Sequence, residues 1–168
     1  MLRDADVIER LRALAAGPAP DPRQAAIVLR RLYLTVFAAQ LLVALLVGAA
    51  LMALASGARA ASDPFALVLL VLALGQLPLG WTLGCSAIRA GGRQAALSGT
   101  FSAAVLLSIP VWFGVLLLVS GQHFGYLLGI AAVVVIASAL GLPITRLAAN
   151  VVATVDPDPE HLPEERPA

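Results

Sequence analysis

The chain has 168 residues, 60% of them hydrophobic, with a mean hydropathy of +0.92 and a formal net charge of +1. Soluble domains are usually about half apolar, so this composition excludes a soluble globular protein, and eleven basic residues against ten acidic exclude a nucleic-acid binder. All basic residues are arginine, a bias that with abundant Ala, Leu, Gly and Pro points to a GC-rich bacterial genome.

Residues 1–17 place Leu2, Ala5, Ile8, Leu11 and Ala15 at helical spacing, while Arg3, Asp6, Glu9, Arg10 and Arg12 occupy much of the remaining surface. This predicts a cytoplasmic amphipathic helix. Pro18, Pro20 and Pro22 then predict a proline-containing linker over 18–30. Four apolar stretches follow, at about 32–55, 65–87, 97–119 and 124–144, and none contains Asp, Glu, Lys, Arg or His. Each is long enough to cross a bilayer, whose hydrocarbon core of about 30 Å needs about 20 helical residues. The predicted fold is an all-α integral membrane protein with a four-helix transmembrane domain over 31–147, built as two antiparallel hairpins. The first stretch exceeds the 7–15 apolar residues of a signal core, so it reads as a retained span, although Ala58-Arg59-Ala60 loosely resembles a cleavage site.

Asp63-Pro64 reads as a helix N-cap followed by proline at the first helical position. Arg89-Ala90-Gly91-Gly92-Arg93 supplies glycines for a turn, and Ser120-Gly121-Gln122-His123 is the tightest connection. Pairs recur about 65 residues apart, among them Ser56-Gly57 with Ser120-Gly121 and Leu77-Pro78 with Leu142-Pro143. Such pairs arise from an ancestral duplication, which would give a parallel repeat, or from coincidence in a restricted alphabet. After Pro143, Ile144, Leu147, Ala148, Val151, Val152 and Val155 keep a helical stripe. Residues 148–155 therefore either extend the fourth span or turn along the inner interface. The prolines and acids of 156–168 predict a disordered acidic tail.

Arg23, Arg30, Arg31, Arg89, Arg93 and Arg146 fall on one side of the alternating spans, and only Arg59, beside Asp63, falls on the other. The positive-inside rule then predicts a multi-pass protein of the bacterial cytoplasmic (inner) membrane with both termini cytoplasmic.

The candidate site is a polar cluster at mid-depth: Gln76 and Pro78 in the second span, Ser108 and Pro110 in the third, and Gln40 in the first. Each proline frees a carbonyl. The cluster has two readings: a small cavity for a ligand or hinge, or hydrogen bonds between helices worth about 0.5–2 kcal/mol. Gly80 with Gly84, and Gly125 with Gly129, have the four-residue spacing of helix-packing positions, within one chain or between copies. Tyr33, Phe65, Phe124 and Tyr126 lie near span ends and read as interfacial anchors, whereas Trp81 and Trp112 sit on different spans at different depths.

The single cysteine, Cys85, excludes an intrachain disulfide, and His123 and His161 form neither a haem pair nor a zinc set. No serine has a base at depth to activate it. No catalytic residue, cofactor or metal is therefore expected. The function expected is a non-enzymatic accessory, assembly or regulatory membrane subunit acting by protein association, its surroundings the lipid bilayer and its partner a membrane protein or a second copy. The alternative is a small permease or channel component for a neutral or hydrophobic solute passing the Gln76–Pro110 region.

Overall fold

The computed structural model describes residues 21–54, 63–121 and 124–154, and all four elements in them are helices: α1 (Pro22–Leu54), α2 (Asp63–Arg89), α3 (Arg93–Val119) and α4 (Phe124–Thr154). The amphipathic helix expected over 1–17 and the tail expected over 156–168 lie outside the described residues. Each helix is long and apolar enough to cross a membrane. Their outer surface carries large aliphatic side chains, including Leu46 at 62%, Val71 at 58% and Val135 at 66% exposure. Water would not tolerate so extensive an apolar surface, whereas lipid tails do.

Contacts between helices fix their directions. Gln40 of α1 is level with Trp112 of α3, and Gly48 with Val115 and Leu118, so these two helices run parallel. On α2, Gly80 meets Leu107 and Gly84 meets Ala103, whereas Gly99 meets Ile88, so α2 and α3 are antiparallel. Tyr33 of α1 reaches Ala137 and Gly141 of α4, and Ala25 and Leu29 share a buried cluster with Ala148 and Val152, so α4 runs down while α1 runs up. The result is an up-down-up-down bundle with Arg23, Arg30, Arg31, Arg89, Arg93 and Arg146 all at one end.

The pairing departs from two separate hairpins. Helices α3 and α4 each pack against all three others, while α1 and α2 share no extended interface and flank the central pair. Helix α3 is the most enclosed, with 44% of its most apolar window buried against 17% for α1. The connection between α1 and α2 covers residues 55–62, and at about 3.3–3.6 Å per residue it is long enough to cross the bundle. A twofold axis along the membrane normal would exchange α1 with α3 and α2 with α4, so pairing α3 with α4 would demand pairing α1 with α2. The bundle has the first interface and lacks the second, so its packing does not carry the symmetry of a repeat.

The linker expected over 18–30 is helical from Pro22 onward. Pro22 starts the helix instead of breaking it, because proline at the first helical position lacks only an amide that would have no intrahelical partner. Asp21 completes the start: its Oδ1 accepts the Arg23 amide at 3.1 Å, and its carbonyl accepts the Ala25 amide at 3.0 Å. Ala25, Val28 and Leu29 are then buried in one cluster with Ala148, Ala149 and Val152. The same contacts decide the fate of the stripe after Pro143, which continues α4 straight through Thr154. With 33 and 31 residues, α1 and α4 are each over 45 Å long at about 1.5 Å per residue, so both overshoot a 30 Å core and stay paired beyond it.

Between α2 and α3, Gly91 has φ of +97° and Gly92 of +83°, with the Gly91 amide closing onto Ile88. A Cβ at positive φ costs about 1–2 kcal/mol in the left-handed region and about 1–3 kcal/mol in the extended region of Gly92, whose ψ is 158°. Replacing both glycines by alanine is expected to lower bundle stability by about 2–3 kcal/mol, read as a lower midpoint in detergent unfolding. An unchanged midpoint would mean that the turn does not need positive φ at these positions.

Candidate functional site

The structure gives the residues of the polar cluster expected around mid-depth different surroundings. Pro78 is exposed on the outer surface of α2, whereas Pro110 is buried within α3. Ser108 is also buried, but its hydroxyl donates to the Val105 carbonyl of its own helix at 2.7 Å and does not cross to a neighbour. Other hydroxyls do the same: Thr100 bonds to Ala96, Thr145 to Leu142 and Ser138 to Val135. A hydroxyl satisfied by a carbonyl three or four residues back has no donor left for a substrate.

The glutamines behave differently from each other. Gln40 accepts a hydrogen bond from the Trp112 indole at 3.4 Å, a long contact that links α1 to α3. Gln76 is half-buried, and its Oε1 is enclosed with no hydrogen-bond partner. None of Gln40, Gln76, Ser108, Pro78 or Pro110 lines either of the two cavities described below. Fully buried Tyr33, Leu107, Leu117 and Ile144 fill the bundle interior instead.

The glycine pairs also part company. A Cβ on Gly84 would stand 2.7 Å from that of Ala103, and one on Gly80 would stand 2.9 Å from Leu107 Cδ2, so this pair lies in the α2–α3 contact. A Cβ on Gly129 would stand 3.1 Å from Leu70, while one on Gly125 would meet nothing within 4 Å. Two further glycines, absent from the sequence reading, are as confined. Gly99 faces Ile88, whose side chain and backbone amide would lie 2.7 and 3.0 Å from an added Cβ. Gly141 lies against the ring of Tyr33, where an added Cβ would overlap the aromatic carbons. Ala137, Gly141 and Thr145 at four-residue spacing carried the signal, but it requires only small residues and not paired glycines.

Tyr33 is not an interfacial anchor. It is 1% exposed, its ring stacks on Phe37 with centroids 6.0 Å apart, and its hydroxyl donates to the Ala137 carbonyl at 2.8 Å. The helix begins ten residues earlier than the apolar stretch, so Tyr33 lies mid-helix, on the face turned to α4 and away from lipid. Phe65 and Phe124 at the opposite end are exposed, at 41% and 72%.

Described residues line two cavities. One, of about 350 Å³, opens between α1, α3 and α4 and is lined by apolar side chains with a floor of small residues, Ala44, Gly48, Gly114 and Ala131. The other, of about 490 Å³, follows the α2 face from Trp81 to Ala90 at the arginine end. No group of three or more His, Cys, Asp or Glu is placed to hold a metal among the described residues.

Among the described residues the fold is all-helical, and its four long apolar helices suit a multi-pass membrane protein. No protein-family model, curated protein or solved structure matches the chain.

Proposed function

We propose that this protein is a non-enzymatic accessory, assembly or regulatory subunit of a bacterial inner membrane, acting by association with another membrane protein. The observation that carries this reading is the apolar groove of about 350 Å³ between α1, α3 and α4. Small residues at its floor let a neighbouring helix approach closely, and close approach drives helix association in lipid, where dispersion replaces the hydrophobic effect. Ser108, whose hydroxyl is spent within its helix, and Pro78, which faces outward, support the same reading against a permease. The arginines gathered at one end support a cytoplasmic placement of that end.

Ala131 lies exposed in the groove, so Ala131→Leu fills the groove without displacing the core. Tagged full-length protein purified in mild detergent is expected to bring a stoichiometric membrane partner, and Ala131→Leu is expected to release it while the purified chain keeps its helical content and thermal midpoint. A partner retained by Ala131→Leu would remove the groove from the association. A chain that purifies alone, and loses its cellular role in a Gln76→Leu/Ser108→Ala double variant, would overturn the association reading in favour of solute passage.

A further inference from the structure

We propose that the outward face of α2 at the arginine end is a binding site for an acidic phospholipid, with Arg89 holding the headgroup phosphate and the groove toward Trp81 receiving the first part of an acyl chain. The cavity of about 490 Å³ is lined by Trp81, Thr82, Cys85, Ser86, Arg89 and Ala90, a single stripe at helical spacing. From Trp81 to Ala90 the helix rises about 13 Å, close to the half-thickness of a 30 Å core. A groove of this extent runs from the headgroup level down one leaflet.

The lining is chemically graded. At depth, Trp81 packs against the core and Cys85 is buried, so that end is apolar. Thr82 donates its hydroxyl to the carbonyls of Pro78 and Leu79, and Ser86 donates to Leu83, so neither has a donor left for an anion. At the mouth, Arg89 is exposed and makes no salt bridge among the described residues. Its guanidinium fork matches two phosphate oxygens. The α2 C-terminus contributes a partial negative charge of about half a unit, less than the full charge of Arg89.

Net charge separates acidic from zwitterionic lipids, since both carry the phosphate. Around Arg89, the same end holds Arg23, Arg30, Arg31, Arg93 and Arg146, with Asp21 the sole acid among the described residues there. The one arginine that touches the headgroup in the groove, Arg89, favours an acidic lipid there by a factor of about five, while the others attract anionic lipid to the surface as a whole.

The chain has two tryptophans, so Trp112→Phe leaves Trp81 as the only fluorophore of its kind, and Trp112 does not line the groove. This full-length variant is reconstituted in vesicles of phosphatidylcholine and phosphatidylglycerol, with one lipid at a time brominated in its upper acyl chain. Brominated phosphatidylglycerol is expected to quench Trp81 about five-fold more effectively per molecule than brominated phosphatidylcholine. Adding Arg89→Gln is expected to abolish that preference, Arg89→Lys to retain most of it, and Arg146→Gln, at the same end but outside the groove, to leave it intact. Equal quenching by the two lipids, or a preference that survives Arg89→Gln, would overturn the site. So would quenching that appears only after deletion of residues 1–17, because that segment of the chain would then be the occupant.

Discussion

Replacing Gly141 by alanine is expected to destabilise the bundle by about 3 kcal/mol, although alanine is the better helix former by about 1 kcal/mol. The added Cβ would fall among the ring carbons of Tyr33, and that ring cannot withdraw. It is 1% exposed, stacked on Phe37 and held by its hydroxyl to the Ala137 carbonyl. Overlap therefore outweighs propensity. Tyr33→Ala alone is expected to cost a comparable amount, about 3–5 kcal/mol, through loss of a large buried side chain. The double variant Tyr33→Ala/Gly141→Ala should cost less than the sum by about 1–3 kcal/mol, because the clash disappears with the ring. Equilibrium unfolding in mixed micelles of mild detergent and sodium dodecyl sulfate, followed by circular dichroism, measures all three. Strict additivity would show that Gly141 and Tyr33 are not in contact.

The second large effect lies at the α2–α3 contact, where leucine at each glycine is expected to rank the sites by what stands opposite. At Gly84 the obstacle is the Cβ of Ala103, which has no rotamer to change, and at Gly99 it includes the backbone amide of Ile88. Both substitutions should cost about 3 kcal/mol or more, since the helices must separate along their whole contact. Gly80 should cost less, because the flexible tip of Leu107 can turn aside, and Gly129 less again against Leu70. Gly125→Leu should lie within about 0.5 kcal/mol of the parent, with nothing within 4 Å of its added Cβ. The same unfolding measurement ranks the series. A cost at Gly125 equal to that at Gly84 would mean that Gly125 is packed against another molecule.

Much of this ranking was hidden in the sequence. Gly80, Gly84, Gly125 and Gly129 form two identical-looking pairs, yet only the first is deeply engaged, because the pattern records small residues and not the helix they face. Tyr33 looked interfacial because it stood two residues into the apolar stretch. Nothing local announces that α1 and α4 remain paired beyond the bilayer, which takes Ala148, Ala149 and Val152, about 120 residues away in the chain, to bury Ala25 and Leu29. Gln76 and Ser108 share a level by sequence, but sequence does not give their hydrogen bonds: Ser108 donates to Val105 of its own helix, and Gln76 Oε1 is enclosed with no partner. The Arg89 groove was equally unreadable as a site, because isolated arginines at span ends serve topology in any such protein.

The sequence by itself determined the number and approximate extent of the spans, the gathering of arginines at one end and the glycine turn between α2 and α3. These follow from one-dimensional quantities: the run length an apolar slab requires, the parity of crossings, and the backbone freedom of Gly91 and Gly92. Only the tertiary structure decided which helices touch, placing α3 and α4 at the centre with α1 and α2 apart, and so which glycines are indispensable and which face of α2 is left open. In lipid every apolar helix face is equally well solvated, so hydropathy cannot choose among pairings. Close contact between particular side chains, such as Tyr33 on Gly141 and Ala103 on Gly84, makes that choice.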